Sequence, residues 1–250
     1  MKGTIRSYLS VSQIRKYMNC GMQYYYRYVE GIPEKMGSAV LRGTSVDNAA
    51  NEHFLKQAQT NNGLTQSQFV DFAVGVHEKE QDSDTFDWEK DDITKDISKD
   101  RTSKLAATYH KDFGDKFNAK EVQVELVQID KDGEEFKGFA DFITVDGVIV
   151  DNKVKKRNVT PDLTRDLQLV KYADMANVDK VGMAVVQDIA TPRTFYHHAE
   201  VTQDDKDRVN KRIEHVKSGI ANKVFMPAPE GSWACTQKWC SFWEICEFGK

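Results

Sequence analysis

A strand–turn–strand stretch near the middle of the chain constrains the fold most. Glu135 to Val145 alternates apolar and polar residues, Asp146-Gly147 is a turn signal, and Val148 to Val154 is a mostly apolar run. The end of that run holds Asp151 and Lys153, two residues apart and so on one face of a strand. An aspartate and a lysine there are costly unless paired or bound to an ion. A second carboxylate, Asp141 in Gly138-Phe139-Ala140-Asp141, lies on the preceding strand. Together they would make an oxygen-rich site of the kind that holds Mg²⁺ beside a substrate phosphate. Lys153 would then orient or deprotonate an attacking water, or stabilise charge on the phosphorus oxygens. The plainer alternative is an Asp151–Lys153 ion pair on an exposed strand face.

Loop length separates the two. A two-residue loop, Asp146-Gly147, would set Asp141 opposite Asn152, on the wrong side of the sheet. A three-residue loop, Val145-Asp146-Gly147 with Gly147 left-handed, sets Asp141 opposite Asp151. The ion site therefore requires the longer loop or a bulge. Downstream, Leu163 to Ala176 reads as a helix, and Gln168 and Tyr172, four apart, project from one side of it. They would serve a phosphate or its water network, or be an ordinary interfacial polar pair.

Around this centre the chain changes character. Helices are predicted over Ser10–Tyr28 (with a Ser10/Gln13 capping box), Leu41–Gln57, Thr65–Lys79 and Thr102–Phe117. Acidic residues dominate Gln81 to Asp100, which reads as a solvated, in part helical, connection. Glu121–Ile129, Val181–Gln187 and Thr194–Val201 read as further strands, and Asp204–Asn222 as a charged surface helix. The expected fold class is α/β, leaning to α+β: a mixed central sheet flanked by helices. We expect one domain over residues 1–250, with a mainly helical part at 1–118 and an acidic linker at 81–100. An α/β core at 119–202 and a helix plus Cys-rich tail at 203–250 would complete it.

The 250 residues carry a net charge of −4, which argues against bulk electrostatic binding of nucleic acid and leaves room for a local basic patch. No apolar run approaches the roughly 18–20 residues of a membrane helix. Met1 to Ser10 lacks the features of a secretory signal, so a cytoplasmic location without membrane association is expected. No Gly-x4-Gly-Lys-[Ser/Thr] loop is present, so the chain is not read as an ATPase or helicase, although it could work with one.

Five stretches in order resemble the RecB-like branch of the PD-(D/E)XK nuclease superfamily. They are Leu9–Ile14 running into Asn19-Cys20-Gly21 and an aromatic helix end, Gly138–Asp141, Val150-Asp151-Asn152-Lys153, Gln168-Leu169-Val170-Lys171-Tyr172, and Cys235 to Cys246. The resemblance implies a restriction-endonuclease-like core and a Mg²⁺- or Mn²⁺-dependent DNA exonuclease. Asp141, Asp151 and the Asn152 main-chain carbonyl would be metal ligands and Lys153 the catalytic lysine. Asp47, after Arg42-Gly43-Thr44-Ser45-Val46, stands where the branch commonly has a histidine ligand, and a carboxylate suits a hard cation. His53 is six residues on and faces elsewhere. The closing motif implies an iron–sulfur staple, although Cys235-x4-Cys240 has four intervening residues where the branch often has two.

Four thiolates, Cys20, Cys235, Cys240 and Cys246, would hold a [4Fe–4S] cluster or, alternatively, Zn²⁺, tying the amino-terminal helix to the tail. Trp233, Trp239 and Trp243 would pack around it. Lys155-Lys156-Arg157 is a candidate guide for the DNA backbone, assisted by Arg42 and Lys171. Compact relatives of this kind serve bacteriophage recombination or replication, or trim CRISPR spacers. The expected partners are DNA, single-stranded or with free ends, and a helicase or recombination protein; nothing in the sequence specifies an oligomeric state. The rival reading is a non-catalytic DNA-binding or assembly subunit that has lost activity through the change to Asp47.

Overall fold

The structure, a computed structural model, describes residues 8–90, 93–157 and 160–249. Five strands form one mixed sheet in sequence order: β1 (Ala119–Ile129), β2 (Glu135–Thr144), β3 (Val148–Lys155), β4 (Lys180–Gln187) and β5 (Thr194–Glu200). β2 and β3 are antiparallel, β3 and β4 parallel, and β4 and β5 antiparallel. A parallel neighbour needs a crossover. The segment between β3 and β4 supplies it with a short 3₁₀ turn (Leu163–Arg165) and a helix (Leu167–Met175). The helix predicted there is thus split. Asp166 stops the 3₁₀ turn and caps the helix after it, accepting the N–H groups of Gln168 and Leu169 at 2.9 and 3.1 Å.

The remaining helices are α1 (Val11–Asn19), α2 (Gly21–Tyr24), α3 (Ser38–Thr60), α4 (Gln66–Glu80) and α5 (Lys95–Phe113), with the crossover helix as α6 and Gln203–Ala221 as α7. α5 begins seven residues before its predicted start, because Thr94 accepts the Ile97 N–H and caps a turn that the acidic composition disguised. The last part of the acidic connection, Lys95 to Asp100, is therefore the first part of α5. The helix predicted over Ser10–Tyr28 breaks at Cys20, which is extended, and resumes as α2 and a π-helical turn (Tyr25–Val29). The break has its cause in packing. Gly21 N–H donates to the Met226 carbonyl at 2.7 Å, and a Cβ on Gly21 would stand 2.7 Å from that backbone. Ser10 caps α1 as expected, but the Gln13 amide bonds the Tyr8 carbonyl, so the reciprocal half of the capping box is missing.

The chain groups into two compact units. One comprises Met1–Lys35, Val127–Gly138 and Asp207–Lys250; the other comprises Met36–Leu126 and Phe139–Lys206. In the second unit, α3, α4 and α5 bury an aromatic core against one sheet face. Phe54 lies 4.4 Å from Phe142 between ring centres, Phe69 stacks on Tyr109, and Val150, Ala184 and Val186 supply the sheet side. α6 covers the other face, where Ile149, Val181 and Met183 are buried. In the first unit, Phe225 packs among Tyr17, Tyr24 and Tyr25, and Lys217 pairs with Asp130 and Glu134. Among the described residues no helix is long and apolar enough to cross a membrane.

The β2–β3 connection is the three-residue loop. Phe142 pairs with Val150 and Ile143 with Ile149, which sets Asp141 opposite Asp151, and Gly147 has φ of +79°. A left-handed residue costs a side chain roughly 1–2 kcal/mol. Gly147→Val is therefore expected to lower unfolding free energy by about that amount in urea titration, with little change in the slope.

Candidate active site

β2 and β3 part just beyond the Phe142–Val150 pair. In a strand, N–H and C=O of one residue point to the same neighbour, so Asn152 directs both toward β2. Its N–H is taken by the carboxylate of Asp141 at 2.7 Å. The Asp141 side chain thus substitutes for a ladder carbonyl and spares the opening strand an orphan donor. Across from it Asp151, 4% exposed, accepts from Lys153 Nζ at 2.7 Å and from Gln168 Nε2 at 3.0 Å. Gln168 comes from the first turn of α6. One turn on, the Tyr172 hydroxyl meets the Phe139 main chain on β2. The two side chains four apart on α6 therefore reach two neighbouring strands.

Asp47 approaches from α3 on the opposite face. Its Oδ1 accepts from Asn152 Nδ2 at 3.2 Å and its Oδ2 from Asn51 Nδ2 at 3.3 Å. Asp47, Asn152 and Lys153 line one small pocket with Gly43, Val46 and Tyr109. Asp47, Asp141, Asp151, Asn152, Lys153, Gln168 and Tyr172 are thus brought together within one unit.

The electrostatics are those of crowding. Burial raises the Asp141 carboxyl well above the ordinary carboxylate range, and the charges of Asp47 and Asp151 push it further. Asp47 is raised too, first by burial and also by Asp151, against the amide bonds and Lys153. Burial works against the Lys153 charge, but Asp151, Asp141 and Asp47 outweigh it and hold the ammonium on. Burial pushes the Tyr172 hydroxyl up to about 12, so it remains a neutral phenol at physiological pH.

Two expected DNA contacts are corrected. Arg42 is 1% exposed and is spent inside the second unit on Asp188 (2.8 and 2.9 Å), Ser38 and Ser98. Lys171 is also buried, paired with Asp174 at 3.2 Å. Neither is open to a phosphate. Lys156 and Arg157 are exposed, and Lys155 is half-buried with Nζ 3.2 Å from Met183 Sδ. His53 is buried, bonded to Gly114 and Leu64, and takes no part in the site. Tyr109 and Asn51 escaped the sequence reading. Asn51 lies four residues after Asp47, a spacing that does signal a shared helix face; Tyr109 gave no local signal.

In the first unit, Cys20, Cys235, Cys240 and Cys246 line one pocket with Phe242 and Trp243. Burial raises the thiols of Cys235 and Cys240, and Cys20 and Cys246 raise them further. Trp243 is at the pocket, but Trp233 and Trp239 are 68% and 52% exposed, against the expectation that all three surround the cysteines.

A sequence model of the PD-(D/E)XK nuclease superfamily matches residues 8–247. The chain belongs to this superfamily. A crystal structure of a "putative exonuclease" from Eubacterium rectale superposes with a TM-score of 0.59 at 14% identity, covering 92% of this chain and 87% of the other, which is a likeness of fold. A second structure, SSO0001, covers 96% of each chain at 14% identity with a TM-score of 0.41. No curated protein sequence matches the chain. Superfamily members use Mg²⁺ or Mn²⁺, and the donors here, three carboxylates and a carbonyl, have the hard-oxygen chemistry such ions require. Among the described residues no three His, Cys, Asp or Glu side chains are gathered closely enough to hold one ion in this conformation. The fit therefore rests on donor type and on the mutual repulsion that a cation would relieve.

A carboxyl that holds its proton more tightly folded than unfolded makes the folded state bind more protons, so stability falls as pH rises from the unfolded pKa through the folded one. Asp141 and Asp47 both shift this way. In chelator-treated nuclease, the contribution of these two carboxyls to Tm is expected to fall as pH rises above about 4, against the opposite contributions of Asp130 and Asp146, whose carboxyls are lowered. Asp141→Asn should flatten this slope in a thermal melt and raise Tm at neutral pH.

Proposed function

We propose that this nuclease is a Mg²⁺- or Mn²⁺-dependent DNA exonuclease acting on DNA that is single-stranded or has free ends. The register that sets Asp141 opposite Asp151, with Lys153 and Gln168 both bonded to Asp151, carries the reading. Asp47, Asp141, Asp151 and the Asn152 main-chain carbonyl would hold the cation, which when bound lowers the pKa of water and neutralises phosphate charge. Lys153, kept protonated by its carboxylate neighbours, presents an ammonium that orients the nucleophile or stabilises charge developing on the phosphate. Gln168 fixes the Asp151 carboxylate, and Tyr172 offers a neutral phenol beside β2. Lys155, Lys156 and Arg157 come directly after the strand that carries the site and supply cationic groups for the DNA backbone.

The same reading assigns the four cysteines a [4Fe–4S] cluster, with Zn²⁺ as the other ion this donor set accepts. Its support is the shared pocket and the mutual influence of the thiols. The assigned roles are structural and DNA-positioning, in recombination, repair or replication.

With labelled single- and double-stranded DNA and Mn²⁺, the wild-type chain is expected to shorten ends. Lys153→Ala should reduce the rate on the order of 10²–10³-fold. Tight DNA binding without cleavage by the wild-type protein would identify a non-catalytic subunit instead. Anaerobically purified protein is expected to show the broad visible absorption of an iron–sulfur cluster and about four irons per chain. Cys246→Ser should bleach it and lower Tm; stoichiometric zinc and a colourless protein would reassign the site.

A further inference from the structure

Asn152 carries two functions on one residue. Its main chain bonds Asp141 in the fork between β2 and β3, while its side chain points to the other face, where it is held at both ends. The Tyr109 hydroxyl donates to Asn152 Oδ1 at 2.5 Å, and Asn152 Nδ2 donates to Asp47 Oδ1 at 3.2 Å. With Asp47 ionised, as a cation ligand must be, the polarity of this chain of bonds follows. A flipped amide would press its oxygen against the Asp47 carboxylate, so the amide nitrogen faces Asp47 and the phenol must be the donor to the amide oxygen. Asn51 Nδ2 holds the second Asp47 oxygen at 3.3 Å. Tyr109 itself is immobilised: it is 1% exposed, stacked on Phe69 at 5.7 Å and edge-on to Phe113 at 5.1 Å. A buried phenol held by rings on both sides has little freedom to seek another partner, and leaving the amide oxygen unpaired would be costly.

We infer that Tyr109 is a positioning residue: through the Asn152 amide it aims the Asp47 carboxylate into the metal site. This rests on the proposed reading of Asp47 as a cation ligand. Tyr109 lies outside all five sequence stretches that resemble the RecB-like branch, more than 60 residues from Asp47 and 43 from Asn152, and only the packing of α5 on the sheet brings it to them. It explains how an aspartate, shorter than a histidine, is held at the edge of the site from α3.

The test is Tyr109→Phe, read first by binding of Mn²⁺ to chelator-treated protein without DNA, with free Mn²⁺ monitored by electron paramagnetic resonance. Losing a partner that orients a ligand costs roughly 10–100-fold in metal affinity. The same rise is expected in half-saturating Mn²⁺ for DNA cleavage, with KM for DNA unchanged. Because the effect passes through Asn152, Y109F should add nothing in an Asn152→Ala background. Unchanged Mn²⁺ affinity in Y109F, or an equal loss in both backgrounds, would overturn the inference by reducing Tyr109 to a core residue. If Y109F does not fold, N152A alone decides, since wild-type affinity in that variant equally defeats the relay. Asp47→Ala separates the two levels. Weakened Mn²⁺ binding in D47A with none in Y109F sinks the positioning role alone, whereas full binding in D47A sinks the reading of Asp47 as a ligand and the inference with it.

Discussion

One hydrogen bond organises the site, that of the Asn152 N–H with the Asp141 carboxylate. Two antiparallel strands can separate only if the donors and acceptors they release find other partners, because an unpaired buried N–H forfeits about as much as a hydrogen bond is worth. Asp141 solves this from within the sheet, by folding its own carboxylate into the place of a backbone carbonyl. The strands therefore open at a defined position, immediately beyond the Phe142–Val150 pair, and the opening lies between the two carboxylates of Asp141 and Asp151 and not one residue to either side. The loop with left-handed Gly147 fixes the register that makes this so, and α6 then brings Gln168 and Tyr172 across the two strands.

That arrangement is held against its own electrostatics. Asp47 and Asp141 hold protons more strongly, first because they are buried and further because neighbouring carboxylates repel their charge. Crowded carboxylates that destabilise a resting protein are a common feature of sites built to bind cations or move protons. The aromatic core between α3, α4 and α5 is what can sustain it. Phe54, Phe69, Phe113 and Phe142 bury large apolar surfaces beside the site, and such rings contribute stability far from any charge.

The strands and the place of the turn were legible because β periodicity, the Asp-Gly signal and a charged pair ending an apolar run are local properties; the length of the loop, and with it the register, was left open between two and three residues. Gln168 and Tyr172 were legible for the same reason, being four apart on one helix. Arg42 and Lys171 misled because charge was weighed above periodicity. Ser38, Arg42, Val46, Ala50 and Phe54 form one row at four-residue spacing on α3, and its other members are all buried. Lys171 stands four after buried Leu167 in the same manner. Long cationic side chains can occupy such rows when a carboxylate meets them, and Asp188, 146 residues from Arg42, does so. The partner is invisible to any local pattern. Tyr109 was illegible for a related reason: on α5 it reads as one more core aromatic, and only the tertiary position of Asn152 gives its hydroxyl a role.

The unit containing the cysteines faces a different problem. It is assembled from three separated stretches of chain, its last segment after α7 is mostly turns, and several large apolar side chains there, among them Trp233, Met226 and Ile245, remain exposed. That segment's buried apolar side chains are few, Ala228, Ala234 and Phe242 among them, against the entropy of ordering a long irregular stretch. The ligand bonds of the cluster or zinc ion proposed above would join Cys20 to residues beyond 230 and so close a very long loop, and closing long loops removes the most freedom from the unfolded chain. The break in the helix at Cys20 fits the same need. Gly21, with no side chain, lets the Met226 backbone approach, and the interruption turns Cys20 out of the helical row and into the pocket shared with the three distant thiols. The interrupted helix and the irregular tail thus meet at one place, where the Gly21–Met226 contact and the pocket shared by the four thiols lie together.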